Sequence, residues 1–184
     1  MHKQLVLILG GIRSGKSAFA LSLASRLGER VLFLATATPG DEEMARRIAL
    51  HQKARPPTWR TIEEPLYLAA ALRREAKDAQ AVVLDCLTLW LSNWLSAHAP
   101  LSHEAQEASA LAEVAALLDA YRDGAADLIC LSNEVGLGVI PPTPLGRRFQ
   151  DLRGRINQQV ATAAVRVVLM VAGIPADLKA PSPP

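Results

Sequence analysis

The 184-residue chain carries 20 Lys and Arg against 18 Asp and Glu, a formal net charge of +2, and half of its residues are apolar. That balance excludes a general nucleic-acid binder or a membrane-surface protein, both of which need a marked positive excess, so any anion site must be local. The length suits one α/β domain with a substantial core, expected over residues 1–174, followed by a Pro-rich tail over 175–184.

Leu5-Val6-Leu7-Ile8-Leu9 is a continuous apolar run of the kind that forms a strand buried on both faces. The next eight residues, Gly10-Gly11-Ile12-Arg13-Ser14-Gly15-Lys16-Ser17, match the phosphate-loop pattern G-x-x-x-x-G-K-[ST]. The glycines let consecutive backbone N–H groups turn toward an anion, and a helix beginning near Lys16 adds its positive dipole end. A nucleoside triphosphate is the natural guest, with Lys16 reaching the β- and γ-phosphates and the Ser17 hydroxyl on a bridging Mg²⁺.

Apolar residues at helical spacing run to Leu27, and Gly28 stands where a C-cap belongs. Val31 to Ala35 reads as a second buried strand, 36–40 as a loop, and Glu42 to about Arg55 as a helix capped by Asp41 and ended by Pro56-Pro57. Trp59 to Pro65 suggests a brief strand before a helix from Leu66 to Lys77. Ala81-Val82-Val83-Leu84-Asp85 is a third apolar strand ending in an acid, followed by a helix from Leu87 to Ala97 whose Trp90 and Trp94 read as packing residues, of the core or of a subunit contact, in preference to a functional pair. A helix opening at Ser102, a strand over Asp127 to Ser132, a long helix from Leu145 to Ala163 and a last strand from Val165 to Val171 complete a mostly parallel, three-layer α/β sheet.

Cys86 and Cys130 fall at apolar strands and read as free buried thiols of a reducing compartment. No apolar stretch reaches membrane-spanning length and the first residues lack a signal-peptide pattern, so a cytoplasmic location without membrane insertion is expected.

Asp85 ends its strand where such a fold places the acid that holds Mg²⁺, although the same position serves as a helix N-cap. Glu134, after the fourth strand, either polarises an attacking hydroxyl or water or is a plain structural acid. His51 lies in a cationic stretch with Arg46, Arg47, Lys53 and Arg55. Neighbouring cations disfavour imidazolium, and a neutral ring is a nucleophile toward phosphorus; on composition alone a lone helical histidine is more often a solvated surface residue. Arg13, Arg46, Arg47 and Arg55 are candidates to neutralise charge on phosphoryl oxygens. The guanine-reading Asn-Lys-x-Asp motif is absent, against a regulatory GTPase.

Five ordered blocks carry a resemblance: the phosphate loop, Asp41 to His51, Trp59 to Pro65, Asp85-Cys86-Leu87-Thr88, and Ser132 to Gly138. With Pro144 to Phe149 and Gly154 to Gln158 they make the chain similar to the bifunctional adenosylcobinamide kinase / adenosylcobinamide-phosphate guanylyltransferase family of cobalamin biosynthesis. The resemblance implies a RecA-like phosphate-loop sheet in a trimer. It implies phosphorylation of adenosylcobinamide by ATP or GTP, then transfer of GMP from GTP to adenosylcobinamide phosphate through a GMP-histidine intermediate. By position, His51 resembles the guanylylated residue, and Lys16 is catalytic within the loop. Gly10 to Ser17, Ala35, Thr36, Ala37, Gln52, Lys53, Ala54, Arg55, Glu63 and Asp85 resemble nucleotide contacts. Ile12 stands where the family commonly has a smaller residue. Apart from the resemblance, the motifs also fit a kinase of another small metabolite or a nucleotide-dependent switch protein.

Overall fold

The computed structural model describes residues 3–53 and 55–180, apart from the side chains of Met44 and Arg47. Seven strands form one sheet: β1 (Leu5–Gly10), β2 (Val31–Ala35), β3 (Arg60–Glu63), β4 (Ala81–Asp85), β5 (Asp127–Asn133), β6 (Arg166–Val171) and β7 (Ile174–Lys179). Their order is β3-β2-β4-β5-β1-β6-β7, parallel except for the antiparallel β6–β7 pair.

Alternation along the strands sorts the apolar residues onto two faces. Leu5, Leu7, Leu32, Leu34, Val82, Leu84, Leu128 and Cys130 face one core. That core is closed by α3 (Leu68–Glu75), α4 (Leu87–Ala97), α5 (His103–Asp123) and α6 (Pro144–Ala163). Val6, Ile8, Val31, Phe33, Val83, Ile129 and Leu131 face the other, where Ala20 and Ala24 of α1 (Lys16–Leu27) are fully buried. The remaining helix, α2 (Glu42–Lys53), leaves the carboxyl end of β2. The expected three-layer α/β sheet with helices on both faces is thus present, and the carboxyl ends of β1, β2, β4 and β5 meet on one edge, where open α/β sheets bind ligands.

Trp90 and Trp94 are core residues of this one chain, 0% and 5% exposed. Their indole N–H groups donate to the Leu66 carbonyl (2.8 Å) and Ser109 Oγ (3.1 Å), so both amphipathic rings are satisfied internally. Helix α3 starts later than the periodicity predicts because Glu64 Oε1 accepts from the Leu66 and Tyr67 N–H groups at 3.0 and 2.9 Å, holding a turn there.

One expectation is corrected. Pro175 does not open a frayed tail: β7 pairs with β6 as far as Lys179, with Met170 opposite Pro175. Ala172 and Gly173, at φ 51° and 81°, make the two-residue turn, the left-handed pair that tight hairpins use. An edge strand tolerates the proline, and Arg166 clamps Asp177 through two hydrogen bonds of 2.6 and 3.1 Å. Residues 181–184 of the expected tail lie outside the described residues.

Candidate functional site

The phosphate loop curls between β1 and α1 on left-handed backbone at Arg13 (φ 55°) and Gly15 (φ 94°). Gly10 is needed for space as well as conformation, since a Cβ there would lie 2.6 Å from the Met170 carbonyl oxygen and 2.7 Å from Ser14 Oγ. Lys16 opens α1 at 8% exposure and donates to the Gly11 carbonyl at 2.7 Å, folded back along the loop. Burial lowers its proton affinity from the ordinary lysine value, with Asp85 and Cys86 pulling the other way.

Two chambers open above the carboxyl ends of the strands. The first, ≈ 500 Å³, is lined by Ile12, Arg13, Ser14, Gly15, Lys16 and Ser17 of the loop, with Ala18 and Leu50. The second, ≈ 340 Å³, is lined by Ala35, Ala37, Ile48, Arg55, Glu63 and Leu89. Ile12, His51, Asp85, Cys86 and Asn133 border both. His51 is therefore at the junction, half exposed on the last turn of α2, its Nδ1 4.0 Å from Asp85 Oδ2.

Asp85 is the hub of the charges. Burial raises its carboxyl above the ordinary range, against the pull of His51, Arg55 and Lys16 and a hydrogen bond from Ser17. It is not the cap of α4, a place occupied by Cys86. Paired with the Ser17 hydroxyl it forms a set of hard oxygen donors, which suits Mg²⁺ shared with phosphate oxygens; no cluster of three or more acid, His or Cys ligands exists among the described residues. Arg55 stacks on Phe33 with its guanidinium carbon 3.5 Å from the ring centroid, and burial lowers its proton affinity against Asp85 and Glu63.

Other expected contacts lie elsewhere. Thr36 is fully buried, its hydroxyl donating to the Cys86 carbonyl and accepting from the Cys86 N–H, both at 2.8 Å, so it ties β2 to β4 behind the wall. Gln52 and Lys53 line neither chamber, although Gln52 Nε2 stands 3.5 Å from Glu63 Oε1. Arg46 faces solvent beside Glu42 at 3.4 Å. Ala54 and the Arg47 side chain lie outside the described residues. Sequence reasoning missed Asn133 as a wall residue; the signal available was its place at the end of β5, whose pairing with β1 brings Asn133 opposite Gly10. Glu134 meets buried Arg153 at 3.6 Å.

The profile of the cobinamide kinase / cobinamide phosphate guanyltransferase family matches residues 6–178. The chain belongs to this family. It is 46% identical over 173 residues to the bifunctional adenosylcobalamin biosynthesis protein CobP of Pseudomonas aeruginosa, covering 94% of this chain and 96% of that one. It is 36% identical over 181 residues to the corresponding protein CobU of Escherichia coli, covering 95% and 99%. Among solved structures, a KaiC-like protein of Pyrococcus horikoshii superposes with TM-score 0.52 at 16% identity over 90% of this chain and 70% of its own. The RadB recombinase does so with TM-score 0.50 at 14% identity over 90% and 73%. These two likenesses show the RecA-like phosphate-loop fold. Family membership makes the chain a kinase and guanylyltransferase of cobalamin biosynthesis.

Proposed function

We propose that both transfers run on one phosphate loop, with the nucleophile deciding which phosphorus is attacked. In the kinase step the hydroxyl of adenosylcobinamide attacks the γ-phosphorus of ATP or GTP. In the second step His51 attacks the α-phosphorus of GTP, pyrophosphate leaves, and the phosphate of adenosylcobinamide phosphate takes the GMP to give adenosylcobinamide-GDP.

The observation that carries this reading is the place of His51 at the junction of the two chambers with Asp85 behind it at 4.0 Å. An acid on the Nδ1 side, once closed to hydrogen-bond length, keeps the proton on Nδ1 and leaves the Nε2 lone pair for attack, the arrangement by which an orienting acid readies an imidazole. Phosphates held along Gly10 to Ser17 put the chain of phosphorus atoms in the first chamber, within the field of Lys16 and Arg13. The base then falls in the second, among Ala35, Ala37, Ile48 and Leu89. Glu63 there is an acceptor for the N1–H and exocyclic amine of guanine; adenine offers no N1–H, which favours GTP for the guanylyl step. Ser17 and Asp85 would hold Mg²⁺, which when bound neutralises the charge of the phosphates.

The family resemblance further supports a trimer in the cytoplasm. Leu137, Val139 and Ile140, 74–93% exposed on the loop between β5 and α6, are apolar surface that an assembly or the corrinoid would cover. No helix among the described residues is long and apolar enough to cross a membrane.

The test is covalent labelling. Incubation with GTP labelled at the α-phosphate should attach GMP to the His51 peptide through an acid-labile, base-stable bond, read by peptide mass spectrometry. His51→Ala should abolish the label while kinase turnover persists. Label retained in His51→Ala would remove the nucleophile assignment.

A further inference from the structure

One buried charge has no part in the scheme above. Arg153 on α6 is 0% exposed, and a guanidinium in such a position is costly unless an ion pair and hydrogen bonds compensate it. Its compensation is partial. Nη2 lies 3.6 Å from Glu134 Oε1, beyond hydrogen-bond length, and Nε and Nη1 have no partner among the described residues. Among the described residues Asn157, one turn along α6, has neither side-chain atom paired, and Ser132 Oγ, near the end of β5, is unpaired as well. Folding alone gives no reason to keep an arginine there, and departures of this kind gather at functional sites.

What Arg153 faces is the catalytic edge. Glu134 follows Asn133, which borders both chambers, and its N–H donates to the carbonyl of Gly10 in the phosphate loop at 3.0 Å. The guanidinium is near enough to Lys16 to disfavour its ammonium form. Both contacts of the Glu134 carboxylate fall on Oε1, which accepts from the Gly136 N–H at 2.6 Å and has Arg153 behind it. Oε2 carries no contact among the described residues, on a residue that adjoins the chambers through Asn133 and lines neither itself.

We propose that Glu134 accepts the proton of the attacking hydroxyl in the kinase step and that Arg153 is its positioning residue. The hydroxyl oxygen bonds to the γ-phosphorus as the bond to the β,γ-bridging oxygen breaks. That oxygen departs with the electron pair on the nucleoside diphosphate, while the hydroxyl proton passes to Oε2 and on to solvent. The half-reactions draw on different elements around one loop, His51 and Asp85 from α2 and β4, Glu134 and Arg153 from the end of β5 and α6. The proposal rests on the kinase half of the function given above.

The full chain is tested as Glu134→Gln, Arg153→Met, Arg153→Lys and the Glu134→Gln/Arg153→Met double variant. Phosphorylation of adenosylcobinamide and GMP labelling of His51 are measured separately. Glu134→Gln is expected to lower kinase kcat about 10²-fold with the nucleotide KM unchanged, and Arg153→Met roughly tenfold, largely restored in Arg153→Lys. The double variant should match Glu134→Gln alone, because positioning has nothing left to act on. The labelling rate of His51 should stay within about threefold throughout. Kinase and labelling rates falling together, additive losses in the double variant, or an unchanged kcat in Glu134→Gln would each overturn the proposal; should Arg153→Met not fold, Glu134→Gln and Arg153→Lys still decide it. Absence of kinase turnover in the unsubstituted chain would instead remove the function on which it rests.

Discussion

The N–H of Gly173 donates to the carbonyl of Ser14 at 2.9 Å, tying the turn of the C-terminal hairpin to the phosphate loop. The contact is close: a Cβ on Gly15 would lie 3.1 Å from Gly173 Cα. Strand β7 is thus a buttress of the site as well as the sheet's edge.

Gly173 sits at φ 81° with open space around an added Cβ, so Gly173→Ala carries backbone strain alone, about 1–2 kcal/mol. For a chain of this size that is a fall in Tm of about 2–4 °C per kcal/mol, with nucleotide affinity little changed. Gly173→Pro also removes the N–H that Ser14 uses and forbids the positive φ. It should weaken nucleotide binding beyond its effect on Tm. Titration of both variants with GTP checks this, and equal affinities would mean that the hairpin does not support the loop.

Asp85 gives a pH dependence of definite sign. Burial raises its carboxyl in the folded chain, so above the ordinary carboxylate range the folded state holds a proton that the unfolded state has lost. The unfolded state binds fewer protons there, and stability falls as pH rises through that window. Asp85→Asn removes the penalty. Its Tm at pH 7 should exceed that of the parent, with the difference closing as pH is lowered into the carboxylate range. Guanylylation of His51 should fall about 10- to 100-fold, as when a supporting partner of a reacting group is lost. A lower Tm at pH 7 would show that the acid's pairing with His51, Arg55 and Lys16 outweighs its desolvation.

The strands, the loop and most helices were legible because apolar runs and the Gly10 to Ser17 spacing are local signals. The hairpin at Ala172-Gly173 was not read from the sequence: Pro175 pointed to a tail, and an edge strand's tolerance of proline depends on a sheet order that spacing does not reveal. Thr36 had the pattern of a loop contact, yet its hydroxyl is consumed by Cys86, a residue 50 positions away. The acid beside His51 and the arginine beside Glu134 were invisible for the same reason: each pair joins elements distant in the chain, α2 after β2 to β4 and α6 to the end of β5, which only the sheet order β2-β4-β5 and the helix packing bring together.

The Thr36 strap is itself testable. Thr36→Val keeps the shape but leaves the buried Cys86 N–H without its partner, a cost of about 1–3 kcal/mol, while the Cys86 carbonyl keeps the Trp90 N–H at 3.0 Å. Denaturant unfolding should show the loss at unchanged m-value. Because the strap lies directly behind the Ala35–Asp85 pair that ends the β2–β4 ladder, the KM for GTP should rise as well. A stable Thr36→Val with ordinary KM would mean that the β2 and β4 ends are held by their ladder alone.

The thiols report on the site without any substitution. Burial, aided by Asp85, pushes Cys86 up to about 11, and burial alone pushes Cys130 up to about 12. The thiolate is the reactive form, so at pH 8 about one Cys86 in a thousand is ionised. Iodoacetamide should therefore leave the native chain almost unmodified over a time that alkylates both thiols in denaturant. Cys86 borders both chambers at 6% exposure and Cys130 is sealed at 0%. Any slow native labelling should thus fall on Cys86 and be suppressed by GTP, with Cys130 modified only on unfolding. Peptide mass spectrometry separates the two, and labelling of Cys86 indifferent to nucleotide would take it off the wall of the site.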